Sequence, residues 1–106
     1  MSEDKWSKTE KSVARAAFDK AYNKECRQII GKLKEISLKL SDPKDLWELH
    51  DYLSEIRKEI NEKYDYRYSV LLLVFAHLLK QQWLKIDDLE GLSADKIDRI
   101  KRLANI

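Results

Sequence analysis

The sequence predicts an all-α protein: two long antiparallel helices forming an arm, followed by a compact helical head. Three observations predict it. Apolar residues recur at three- and four-residue spacing through most of the chain. Only two glycines and one proline occur in 106 residues, which favours long uninterrupted helices over turn-rich β structure. The first clear break, Ser41-Asp42-Pro43, is short enough to fold the chain back as a helical hairpin.

Taken in order, residues 1–6 are polar apart from Trp6 and are expected to be loosely ordered. Ser7 followed by Glu10 has capping-box spacing, so the first helix starts near Lys8. Val13, Ala17, Phe18, Ala21, Tyr22, Ile29, Ile30, Leu33, Ile36 and Leu40 keep helical spacing to the break. Gly31 weakens this helix by about 1 kcal/mol relative to alanine without ending it. Asp42 suits the N-cap and Pro43 the first helical position of the second helix, which should end between Tyr64 and Tyr68. Leu46, Leu49, Leu53, Ile56 and Ile60 form its apolar face. Val70 to Ala76 is apolar all round. Its continuation through His77 to Leu84 favours a buried helix over a strand. A short turn or helix covers Ile86 to Glu90 and Gly91 ends it. Ser93 then caps a last helix, Ala94 to Ala104, with Ile97, Ile100 and Leu103 inward. No repeat or linker interrupts the chain, so 1–106 reads as a single domain, with the arm in 1–66 and the head in 67–106.

Size and charge narrow the function. A helix from Lys8 to Leu40 is about 50 Å long at 1.5 Å per residue, whereas a compact chain of this length has a radius of gyration of about 13 Å. The first helix must either kink, as in a monomer with a bent helix, or project, and a projecting two-helix arm has too little partner surface to bury its seam. A homodimer with a helical-bundle stalk is therefore expected. The formal charge of +2 is no electrostatic footprint for nucleic acid or acidic lipid. The single cysteine, Cys26, suits a reducing compartment. The first residues have no apolar core of a secretory signal, and the longest apolar run is far short of the roughly 20 residues of a membrane span. The expected location is cytoplasmic.

Chemistry is sparse. Two glycines cannot build a phosphate loop, and no cysteine–histidine cluster has zinc spacing. No catalytic residue, metal or cofactor is assigned. Asp87-Asp88 reads as acidic residues favoured at a helix start. Lys96, Arg99, Lys101 and Arg102 make a small basic face, which carries the alternative of a nucleic-acid-binding protein. His77 is expected as a partly buried, hydrogen-bonded core residue, Trp6 and Trp83 as packing residues, and Cys26 as an ordinary helix residue. The least generic feature is a strip on the second helix: Trp47, His50, Asp51, Ser54 and Arg57. Solvated helix faces are usually filled with Lys and Glu. Tryptophan and arginine dominate interface energetics, and Asp with Arg supplies charge complementarity. The strip reads equally as stalk packing and as a protein-binding patch, and the two are compatible.

The stretch from Asp45 to Ser54, then Arg57, then Lys63 to Leu71, resembles the fluorescence recovery protein family of cyanobacteria. Trp6-Ser7, Ala17-Phe18, Ala21-Tyr22 and Gly91 to Lys96 fit as well, so the likeness covers nearly the whole chain. The resemblance implies a helical dimer that is not an enzyme and needs no cofactor. It implies binding to the light-activated orange carotenoid protein, chiefly on its C-terminal domain. That binding speeds return to the orange form and helps detach it from the phycobilisome, so quenching ends. The family's functional Trp, Asp and Arg correspond to Trp47, Asp51 and Arg57, with His50 beside them. A further contact in the head is implied at Leu73 and Arg99, where the family carries an aromatic residue and a lysine. The implied location is cytoplasmic, near thylakoid-associated phycobilisomes. A relative with a different partner, such as a stand-alone carotenoid-binding domain, is the other reading.

Overall fold

The computed structural model describes residues 5–106. Four α-helices run in the order α1 (Lys8–Ser37), α2 (Pro43–Lys63), α3 (Leu71–Lys80) and α4 (Ala94–Ala104), with a 3₁₀ turn at Ile86–Leu89. No strand occurs among the described residues. The longest dimension is 54 Å and the radius of gyration 17.0 Å, well above the about 13 Å of a compact chain. The projection expected from the length of the first helix is present.

The capping box at the start of α1 forms as its spacing predicts. The Glu10 amide donates to Ser7 Oγ at 3.0 Å and the Ser7 amide to Glu10 Oε1 at 3.0 Å. The helix stops at Ser37 rather than Leu40. There the Ser37 hydroxyl turns back onto the Lys34 carbonyl at 2.8 Å, a local bond that competes with the helical ladder. At the start of α2, Asp42 occupies the N-cap position, but the polar work falls to Asp45. Its carboxylate accepts the Ser41 and Asp42 amides at 3.1 and 3.2 Å.

The core lies in the head and the first half of α1. In α3, Leu71, Phe75 and Leu78 are fully buried. Against them pack Ala14, Ala17, Phe18 and Ala21 of α1, Leu84, Leu89 and Leu92 from the loops, and Ile100 and Ala104 of α4. Gly91 closes the contact with α1. Its φ is +109°, and a Cβ there would stand 2.6 Å from Val13 Cγ2. The connector from Tyr64 to Tyr68 is clamped to α1 by rings. Phe18 meets Tyr64 and Tyr66 edge-on at 5.4 and 4.8 Å, and the Arg15 guanidinium lies 4.5 Å from the Tyr66 ring.

Several expectations need correction. The polar start at 1–4 lies outside the described residues, but Trp6 is anchored rather than loose. It packs on the core, 5.3 Å from the Tyr68 ring. Helix α3 ends at Lys80, not Leu84, because Gln82 takes a left-handed conformation (φ 66°). The Gln82 amide bonds the Leu79 carbonyl and the Trp83 amide the Leu78 carbonyl, the paired bonds of a Schellman stop. Nor is α3 buried all round: Leu73, His77 and Lys80 share an exposed face, so His77 is a surface residue. On α4, Leu103 is 53% exposed and Lys96 is buried instead. Glu10 draws that lysine inward and fixes the helix rotation. Trp83 packs against the core as expected.

Candidate partner-binding surface

Helix α2 buries a single residue, Ile60, and all buried residues of α1 lie between Glu10 and Ala21. The apolar faces of both helices beyond those points are at best half-buried. Ile30 and Leu46 are each half exposed, and Leu53 is little better covered. Between the helices runs a groove of about 500 Å³ lined by Tyr22, Cys26, Ile29, Ile30 and Leu33 on one side and Leu53, Ile56, Arg57, Ile60 and Asn61 on the other. The pairing of early α1 with late α2 makes the helices antiparallel.

The mixed strip on α2 separates into two parts. Trp47, His50 and Asp51 stand together. The Trp47 and His50 rings are 6.2 Å apart at 73°, and His50 Nδ1 lies 3.4 Å from Asp51 Oδ1. All three are exposed, Trp47 by 62%. This edge-on pair sets exposed aromatic surface beside a carboxylate, suited to a partner with an apolar contact and a donor or cation next to it. Arg57 lies apart, ten residues further on and so about 15 Å along the axis. It is exposed at the edge of the groove, opposite Tyr22 and Cys26. The Cys26 thiol raises the Tyr22 hydroxyl pKa, and the Arg57 charge opposes that shift.

The far end of the groove is tied by Glu25. Its carboxylate accepts Lys63 Nζ at 2.7 Å and the Tyr64 hydroxyl at 2.8 Å. Burial first, and then the bond to Glu25, push the Tyr64 hydroxyl far above its ordinary range. This tie sets the rotation of α2 and so the direction in which Arg57 and Asn61 face. The sequence contained the signal for the α1 side of the groove, since Tyr22, Cys26, Ile29 and Leu33 share one helical face. Tyr22 and Cys26 nevertheless read as ordinary helix positions.

The two head residues sit on neighbouring helices. Leu73 is 44% exposed on the outer face of α3. Arg99 is half-buried on α4, with Nη1 3.7 Å from Asp95 Oδ2. The basic face of α4 is largely neutralised. Lys96 is buried against Glu10 at 3.2 Å, and Arg102 lies 3.5 Å from Asp98. That removes most of the support for phosphate binding there. Asp88 is likewise occupied. It holds Lys20 and caps the Lys85 amide; burial raises its pKa, but these bonds outweigh it and the net direction is down. Among the described residues, no group of three or more His, Cys, Asp or Glu is placed to hold a metal, and no helix is long and apolar enough to cross a membrane.

Residues 6–104 match the family described as photoprotection regulator, fluorescence recovery protein. The chain belongs to the fluorescence recovery protein family. It is 42% identical to the fluorescence recovery protein of Synechocystis sp. PCC 6803 over 101 residues, 95% of this chain and 93% of that protein. The solved structure of the Fremyella diplosiphon fluorescence recovery protein matches with a TM-score of 0.89 at 46% identity, covering 96% of this chain and 100% of the other. The Synechocystis structure gives the same score at 41% identity, with the same coverage of both chains. These likenesses support an all-helical regulator of photoprotection.

Proposed function

We propose that this protein binds the light-activated orange carotenoid protein, mainly on its C-terminal domain. Binding accelerates its return to the orange form and helps detach it from the phycobilisome, so that quenching ends and antenna fluorescence recovers. The observation that carries the reading is the exposed Trp47–His50–Asp51 group, on a chain whose family regulates photoprotection. Arg57 forms the second part of the site, and Leu73 and Arg99 contribute from the head. The protein acts as a homodimer, in which a second copy covers the open groove and Arg57 lies at its seam. No bond is made or broken by the protein. It acts in the cytoplasm, beside thylakoid-associated phycobilisomes.

The mechanism follows from what a helper must do. A binder with equal affinity for the two end states and for the path between them changes no rate. It must favour the transition state for re-docking of the separated domains. A rigid helical arm that grips one domain through an aromatic and charged patch can hold it in the recovering geometry. Weak affinity for the orange form then permits release and turnover.

A second reading keeps the scaffold and changes the partner to a stand-alone carotenoid-binding domain. It is favoured by Leu73 and Arg99, which depart from the aromatic residue and lysine described above for the family. The test is dark recovery of light-activated orange carotenoid protein, followed by absorbance with and without this chain. A several-fold faster return supports the first reading. An unchanged rate with a folded protein favours the second. Trp47→Leu and Arg57→Leu should each abolish acceleration while leaving far-UV circular dichroism unchanged. Normal acceleration in both variants overturns the site assignment.

A further inference from the structure

The face of α1 opposite the groove has no role in this reading. It carries Lys20, Lys24, Arg27, Gly31, Lys34 and Leu38, whose steps of four and three keep them in one line along the helix. All six are exposed. Lys20 is held by Asp88, but Lys24, Arg27 and Lys34 pair with no acid among the described residues. One acid, Glu35, borders the line. The result is a cationic ridge on a chain whose charges otherwise nearly cancel.

Gly31 supplies an independent observation. After proline, glycine is the residue least favoured inside a helix. Nothing in the chain asks for it here. Its φ is not positive, and a Cβ at this position meets no atom within 4 Å. Glycine also serves where another backbone must come close, and the space beside Gly31 is open to one from outside.

We propose that this ridge is a docking line for an acidic helix of a partner protein. The partner's backbone crosses α1 at Gly31, and its carboxylates meet Lys24, Arg27 and Lys34 on either side. A membrane surface fits less well, because membrane-surface helices set a broad apolar face beside their cations, and this face has only Leu38. Nucleic acid fits less well too, because three free cations neutralise few phosphates.

The test uses the full chain and a labelled synthetic Ala/Gln helix carrying Glu at four–three spacing over about three heptads, read by fluorescence anisotropy at low salt. The expected result is saturable binding that weakens with added salt. It should fall about tenfold in R27E/K34E, the size expected when two exposed ion pairs are lost and their charges reversed. Gly31→Leu should lose at least as much affinity. Because leucine strengthens the helix, that loss cannot be attributed to unfolding, and circular dichroism checks the point. Trp47→Leu should bind normally. The proposal is overturned if the peptide does not bind, or if Gly31→Leu and R27E/K34E bind like wild type. Tighter ridge-dependent binding to a DNA duplex or to phosphatidylglycerol vesicles also overturns it, as does ridge-dependent self-association in sedimentation.

Discussion

Replacing Glu10 with glutamine tests how the head is fixed to the arm. The Glu10 carboxylate accepts the Ser7 amide at 3.0 Å, the Ser93 amide at 2.9 Å and Lys96 Nζ at 3.2 Å. It therefore binds the first turns of α1 and α4 at once. Lys96 also donates to the Lys5 carbonyl at 2.6 Å and lies 5.0 Å from the Trp6 ring. The two side chains are 10% and 8% exposed. Glutamine keeps the shape, but its NH₂ must face a donor, and Lys96 stays buried without its counter-charge. Breaking a buried pair in this way costs about 3–5 kcal/mol. The proton balance gives a second route. The Ser7 and Ser93 amides, then Lys96, lower the Glu10 pKa from 4.5 to about 2. A pKa lowered this far is worth about 3 kcal/mol, reduced to about 2 because the carboxylate keeps some contact with solvent.

The expected loss in E10Q is therefore about 2–4 kcal/mol at neutral pH, measured by urea denaturation with circular dichroism at fixed protein concentration. The folded pKa lies below the unfolded one. The contribution is thus complete above the unfolded value of 4.5 and is lost as pH falls toward about 2. The gap between wild type and E10Q should narrow over the same window. Adding Lys96→Met should recover part of the loss, because no buried cation is then left alone. A gap below about 0.5 kcal/mol at neutral pH, the size of an ordinary surface substitution, or one that persists unchanged in acid, would refute the reasoning.

Two further substitutions probe the turns that hold the head. Gly91→Ala should destabilise by about 2–4 kcal/mol, through strain at φ +109° and the clash with Val13; a thermal melt measures it, and Val13→Ala in the same chain should return part of the loss. Gln82→Gly should raise stability by up to about 1 kcal/mol, because glycine adopts the left-handed helix stop without strain; an unchanged or lower melting temperature would contradict that account.

The sequence pattern was sufficient wherever one helix's own spacing decided the outcome. The Ser7–Glu10 box, the Ser93 cap and the break at Asp42-Pro43 are local chemistry, and each is found where the residues place it. The failures are tertiary. Nothing near Gln82 marks a helix end, since the left-handed position holds a residue that does not favour it. The stop follows from the need to turn Leu84 into the core. The apolar neighbours of His77 read as burial, yet the α3 face it shares with Leu73 and Lys80 is exposed. Lys96 reads as part of a solvated basic face because lysine usually is exposed. Its burial depends on Glu10, 86 residues away in sequence. For the candidate site, α2 showed Trp47, His50, Asp51 and Arg57 as one strip. Their division needed the position of α1, because only the groove wall decides which of them meets Tyr22 and Cys26.

That division bears on how the arm works. Nearly all of the chain's own burial is spent on the head and the first half of α1, through the apolar core, the Glu10 knot and the rings around Phe18. The distal half of α1 and nearly all of α2 are held by the hairpin and by Glu25 at one end. An amphipathic helix in a protein gains most of its stability from what its apolar face packs against. The ordered state of α2 therefore depends on whatever covers Leu53, Ile56 and the rest of the groove. Trp47, His50 and Asp51 ride on that same helix. Covering the groove and presenting the patch are consequently linked: the surface offered to a partner is as well ordered as the arm's apolar seam is closed.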